Sequence, residues 1–241
     1  RPPGAPDMTP VPSALHTAAA LGLRCHTTRA TLDDDEAHLV LQAAEVHGVT
    51  GLLAHGAGDG VIGGPEWFLA ETRERHLAAL RTSMRCEHMA VHAVRTLSAA
   101  GIRSRTLKGV ALAHLDYPDP AWRTFGDADV LVPRAALPAA LAALRTAGFV
   151  RPEPPVRGWW ERSFGKAVVL HSPEGVELDL HLTLTGGYYG LCIPSDELFA
   201  GGEEYTLAEV AVTALPRPLR LLQAAYHAVL GGGSGLRALR D

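Results

Sequence analysis

Gly126-Asp127-Ala128-Asp129-Val130-Leu131-Val132 is the stretch on which the reading of this chain turns. Ala128, Val130 and Val132 recur at every second residue, the period of a strand with one buried face. Asp127 and Asp129 then share the opposite face. Two carboxylates placed side by side can bridge hard divalent cations, which take oxygen ligands. A second acidic strand is predicted over Val176 to Leu184, with Glu177, Asp179 and His181 on one face and Val176, Leu178, Leu180 and Leu182 on the other. Asp179 is the natural third carboxylate, and three such groups complete a site that stabilises both attacking and leaving oxygens.

Working outward, Ile102 to Leu107 reads as a short strand, Lys108-Gly109 as a turn and Val110 to Leu115 as one or two helical turns. The loop Asp116-Tyr117-Pro118-Asp119-Pro120 ends that helix. Downstream, Pro133 or Pro138 opens a helix that runs to about Ala147 and stops at Gly148. A Pro-rich loop follows at 152–155. Trp159 and Trp160 are read on a strand, where adjacent side chains face opposite ways, so one of them at most can stack on a base. Lys166 to His171 and Val176 to Leu184 form a hairpin about Ser172-Pro173-Glu174-Gly175. Gly186-Gly187-Tyr188-Tyr189-Gly190 is expected to be a mobile loop near the site. A strand around 209–215 precedes a helix from Pro218 to about Leu230, and Gly231 to Gly235 reads as a flexible break.

Upstream of the acidic strand the chain is helical. Residues 1–12 hold Pro2, Pro3, Pro6, Pro10 and Pro12 and read as a mobile leader. Helices are expected around 13–23 and 33–47, the second opened by Thr31 and the run Asp33-Asp34-Asp35-Glu36, which suits a helix N-terminus by capping and by the macrodipole. His55-Gly56-Ala57-Gly58-Asp59-Gly60 lacks the third glycine of a dinucleotide loop, since residue 61 is Val61, and is read as a flexible connection. From Pro65 to about Ala100 a long helix is predicted, with Leu77, Leu80, Met84, Val91, Val94 and Leu97 as its core stripe.

The 241 residues carry 22 Lys and Arg against 26 Asp and Glu, a net charge of −4, so no electrostatic footprint for DNA or an anionic membrane is present. No apolar run approaches the ~18 residues of a membrane span. Cys25, Cys86 and Cys192 are widely spaced and odd in number, which argues against a disulfide scaffold or a thiolate zinc site and for a cytoplasmic location. No HExxH occurs. The expected organisation is a helical N-terminal region at 1–100, an α/β (α+β) core at 101–215 and a C-terminal helical segment at 216–241, the chain stopping at Asp241 inside a helix.

The run Leu107-Lys108-Gly109-Val110-Ala111-Leu112, then Tyr117, Pro120, Arg123 and Gly126 to Val132, resembles the bacterial nucleotidyltransferase-like family of the polymerase-β superfamily. Glu177-Leu178-Asp179-Leu180-His181 is similar to that family's acidic-strand motif. His227 and Leu236-Arg237-Ala238-Leu239-Arg240-Asp241 are similar to its helical C-terminal segment. The resemblance spans about residues 95–241. The superfamily's Gly-Gly or Gly-Ser turn is here Lys108-Gly109, and Asp127 follows Gly109 by a step of eighteen residues.

What the resemblance implies is a small mixed sheet flanked by helices that binds a nucleoside triphosphate with Mg²⁺ or Mn²⁺. Asp127, Asp129 and Asp179 become metal ligands, with Asp179 also helping to deprotonate an acceptor hydroxyl. Gly109 lets backbone approach the phosphates, Lys108 neutralises one of them, and Arg123 either pairs with phosphate or orients the acidic strand. His181 either contacts substrate or serves as a structural hydrogen-bonder. The implied activity is transfer of a nucleoside monophosphate to an acceptor hydroxyl or phosphate, with a small peptide among the acceptors. Two alternatives stand beside it: a non-catalytic nucleotide-binding module, and glycosyl transfer from a nucleotide sugar. In the metal-free protein the paired aspartates repel, so neutralising either is expected to preserve or stabilise the fold.

Overall fold

The computed structural model describes residues 11–23, 28–154, 158–230 and 235–241. The chain begins with α1 (Ser13–Ala20), β1 (Ala30–Thr31), α2 (Asp34–Val46), α3 (Thr50–Gly58), β2 (Ile62–Gly63) and the long α4 (Glu66–Ala99). Asp33 caps α2: its side chain accepts from the Glu36 N–H while the Glu36 carboxylate accepts from the Asp33 N–H, a reciprocal box. His55 to Gly58, expected as a connection, belongs to α3. Gly56 packs there against Leu21 and Ile62, and β1 pairs in parallel with β2 just beyond.

The sheet elements follow: β3 (Arg105–Thr106), α5 (Lys108–Leu115), β4 (Ala128–Leu131), α6 (Leu137–Thr146), α7 (Gly158–Phe164), β5 (Ala167–His171), β6 (Glu177–His181), α8 (Gly187–Leu191), α9 (Ser195–Phe199), β7 (Glu203–Leu207), β8 (Val210–Ala214), α10 (Arg217–Leu230) and α11 (Leu236–Arg240). Six strands form one mixed sheet in the order β5-β6-β4-β3-β8-β7. β4 runs parallel to β6 and antiparallel to β3, β3 runs parallel to β8, and the β5–β6 and β7–β8 edges are hairpins. The architecture is a mixed α/β sheet flanked by helices, as the family resemblance implied.

One face of the sheet carries Ala128, Val130, Leu178 and Leu180 and packs on α4 and α6. The other carries Leu131 in a smaller apolar cluster with Leu107, Leu184, Leu198, Phe199 and Leu215, and the acidic residues lie on this side. A third cluster joins α1, α2, α3 and the start of α4. The α4 stripe is offset from its predicted line, since Leu77 and Met84 are 43% and 66% exposed. Ser83, Cys86, Ala90 and Ala93 face the sheet instead. These short side chains bring the helix close enough for the Ser83 hydroxyl to donate to the Phe125 carbonyl and accept from its N–H.

Four other expectations are corrected. Lys108 and Gly109 are the first residues of α5, not a turn before it. Trp160 lies on α7, a helix, so strand alternation does not govern it; the Trp159 side chain lies outside the described residues. Residues 187–191 form α8, where the Gly190 carbonyl accepts from the Thr183 hydroxyl. The edge strand β7 was not foreseen. The Gly231–Ser234 break, the leader through Pro10 and Cys25 fall outside the described residues; Cys86 and Cys192 are free thiols. Among the described residues no helix is long and apolar enough to cross a membrane.

Candidate active site

Parallel pairing of β4 with β6 sets Asp129 opposite Asp179 and Leu131 opposite His181. Because side chains alternate along each strand, all four project from one face. Asp129 is 1% exposed and His181 fully buried, while Asp179 reaches toward solvent. One ligand atom from each of Asp129, Asp179 and His181 lies within 4.8 Å of the others. Asp129 Oδ1 accepts from the Lys108 ammonium and from His181 Nε2 at 2.7 Å. His181 Nδ1 faces the Thr183 carbonyl at 3.1 Å, so both ring nitrogens point at acceptors. Burial alone pushes the Asp129 carboxyl pKa up, but the His181 hydrogen bond and charge, with Lys108, outweigh it and hold the group at about 2. Its Oδ2 is buried with no hydrogen-bond partner among the described residues.

Asp127, just before β4, faces an adjoining cleft lined by Lys108, Gly109 and Leu112 of α5, by Arg123, by Gln223, Ala224 and His227 of α10, and by Arg237 and Asp241. Its carboxyl is shifted upward, by burial first and then by the Asp129 charge. Lys108 and Arg237 oppose that shift without cancelling it. Two carboxylates two residues apart thus have opposite shifts: one is compensated by buried cations, the other is crowded by its neighbour.

The sequence pattern of the uncharacterised nucleotidyltransferases matches residues 33–241, well over half of the chain. The chain belongs to this nucleotidyltransferase family. No curated protein and no solved structure matches it. In this nucleotidyltransferase chain the match begins at the Asp33 cap and takes in α2 to α4 as well as the sheet.

The residues nominated from sequence are distributed as follows. Asp129, Asp179 and His181 form the cluster on β4 and β6, and Asp127 borders the cleft beside it. Lys108 heads α5 with φ of 42°, a left-handed conformation that non-glycine residues rarely adopt, and its ammonium sits on Asp129. Gly109 lines the cleft, and its missing Cβ is matched by a neighbour: a Cβ there would lie 2.7 Å from Phe125 Cβ and Cγ. Arg123 is buried and its guanidinium is occupied. Nε and Nη2 donate to the two Asp241 carboxylate oxygens at 2.7 and 2.6 Å, and Nη1 donates to the Thr124 carbonyl. The Tyr117 hydroxyl donates to the same Asp241. Sequence reasoning did not nominate Gln223, Arg237, Asp241 or Lys166. Lys166, at the start of the β5–β6 hairpin, has its pKa lowered by partial desolvation of the ammonium and by the Lys108 charge.

The donor set suits a hard divalent cation. It offers carboxylate oxygens on adjacent strands, one of them buried without a partner, and its histidine nitrogen is already engaged with Asp129. An unsatisfied buried carboxylate oxygen carries its desolvation cost until something binds it.

Proposed function

We propose that the protein transfers a nucleoside monophosphate from a nucleoside triphosphate to an acceptor hydroxyl or phosphate, with residues 101–215 as its catalytic core. The observation that carries this reading is the pairing of Asp129 with Asp179 across two parallel strands, with Asp129 Oδ2 buried and unpartnered, in a chain of a nucleotidyltransferase family. Asp129 and Asp179, with Asp127 at the border of the adjoining cleft, would hold the divalent cation, Mg²⁺ or Mn²⁺. When bound, that ion offsets phosphate charge and eases ionisation of the acceptor hydroxyl.

The chain's own residues do the rest. His181, locked between Thr183 and Asp129, fixes the Asp129 rotamer and keeps it ionised. Asp179, the more exposed of the two strand carboxylates, receives the proton from the acceptor hydroxyl. The acceptor oxygen bonds to the α-phosphorus, the bond from that phosphorus to the bridging oxygen breaks, and pyrophosphate leaves with the electron pair. Lys108 supplies positive charge beside the departing phosphates.

The test is a panel of nucleoside triphosphates and nucleotide sugars with Mg²⁺ or Mn²⁺, offered with hydroxyl and phosphate acceptors that include small peptides, and read by mass spectrometry. Acceptors heavier by one nucleoside monophosphate, with pyrophosphate released, support the proposal. A hexose added from a nucleotide sugar overturns it in favour of glycosyl transfer, and ligand binding without any product overturns it in favour of a binding module.

A further inference from the structure

The cleft beside Asp127 contains two groups whose hydrogen-bonding capacity the described residues leave unused. Gln223 on α10 is 4% exposed. Its Oε1 accepts a long hydrogen bond, 3.5 Å, from the Lys108 N–H, which identifies the oxygen end of the amide. Its Nε2 is buried with no partner. A buried amide donor without an acceptor bears its full desolvation cost, so the geometry calls for an oxygen from outside the protein.

Arg237 on α11 is the second group. Its backbone N–H donates to the His47 carbonyl and its guanidinium packs against Gly48. The guanidinium itself has no hydrogen bond or ion pair among the described residues. Burial and the neighbouring Arg123 charge lower its pKa, and the Asp241 and Asp127 charges oppose that shift without cancelling it. Arg123 cannot fill the same need, since three of its nitrogens are engaged by Asp241 and Thr124. The N-terminus of α5, which borders the cleft, has no side-chain cap from its N-cap residue, Leu107, and a helix N-terminus favours negative charge.

We propose that this cleft holds the β,γ-diphosphate end of the nucleoside triphosphate, with Gln223 Nε2 donating to a phosphate oxygen and Arg237, not Arg123, acting as the phosphate-binding arginine. The assignment of the anion as a triphosphate rests on the transfer reading above. It places the leaving pyrophosphate against α10 and α11, so the C-terminal helices become part of the site.

The probe is inorganic tripolyphosphate in EDTA, titrated calorimetrically into the full chain and into Arg237→Gln, Arg237→Lys and Gln223→Leu. Wild type binds it. Arg237→Gln and Gln223→Leu weaken Kd by about tenfold or more, the loss of one charge-assisted or buried hydrogen bond, and Arg237→Lys falls between. Unliganded melting temperatures confirm that each variant is folded; if Gln223→Leu is not, the Arg237 pair decides. Failure of wild type to bind, or wild-type affinity in a folded Arg237→Gln, overturns the proposal. Nucleoside triphosphate turnover is assayed in parallel. Turnover with unchanged KM and unchanged tripolyphosphate affinity in Arg237→Gln removes the cleft assignment and leaves transfer standing. Loss of tripolyphosphate binding in both variants, with no triphosphate consumed by wild type, keeps the cleft as a phosphate site and removes transfer.

Discussion

The floor of the site, where β4 meets β6, and its wall, where α5 meets α10 and α11, treat charge in opposite ways. On the floor, Asp129 is buried between the Lys108 ammonium and His181, and its carboxyl is held at about 2. On the wall, the Arg237 guanidinium and Gln223 Nε2 have no hydrogen-bond partner among the described residues, while Asp127 at its border is shifted toward its neutral form by burial and by Asp129. A compensated floor keeps a carboxylate ionised without a ligand. An uncompensated wall is relieved only by one. The carboxylates of the floor suit a cation, whereas the donors of the wall, Arg237 and Gln223 Nε2, suit an anion.

The largest effect is expected at Asp129. Asp129→Asn strips the counter-charge from a buried histidine and a part-buried lysine, at a cost of about 3–5 kcal/mol, and it abolishes transfer. Because the folded-state pKa is depressed, the stability Asp129 contributes is fully present above its unfolded value, about 3.9, and is lost as pH falls toward about 2. Urea unfolding of wild type and variant across that acid range should show their difference shrinking as pH drops. The expectation that neutralising either aspartate relieves repulsion therefore fails for Asp129.

Next is Arg123→Gln, which leaves the Asp241 carboxylate with Tyr117 as its remaining partner. A loss of about 2–3 kcal/mol in unfolding free energy is expected, with tripolyphosphate affinity within error of wild type. The reverse pattern, intact stability with lost affinity, would place Arg123 on the wall. Gly109→Ala comes third: its new methyl meets Phe125 at 2.7 Å, costing about 1–3 kcal/mol by thermal melting. Smallest is Asp127→Asn. With its pKa raised, Asp127 favours the fold only while protonated, and that contribution fades as pH rises through the ordinary carboxyl range. The variant should be slightly more stable than wild type at neutral pH and equal to it in acid.

What could be read from sequence was what depends on local period. Alternation over Asp127 to Val132 and Glu177 to His181 located both acidic strands, while the parallel register that faces Asp129 with Asp179 is seen in the folded sheet. The Asp33 and Glu36 cap marked the start of α2. The first half of α4 was misread because its buried face is built from Ser83, Cys86 and alanines, which carry little hydropathy signal, while Leu77 and Met84 face solvent. Of the wall, only Lys108 and Gly109 on α5 were legible. Gln223 meets the Lys108 N–H across 115 residues, and Arg123 meets Asp241 across 118, so only the folded chain shows which arginine is occupied and which is free.

Manganese binding followed by electron paramagnetic resonance tests the central claim, that the Asp129–Asp179 pair on adjacent strands is a metal centre. Titration of Mn²⁺ into wild type should remove free-ion signal at saturable stoichiometry. Asp129→Asn and Asp179→Asn should leave that signal undiminished, and Arg237→Gln should bind as wild type does. Mn²⁺ uptake by a folded Asp129→Asn equal to that of wild type would contradict the account.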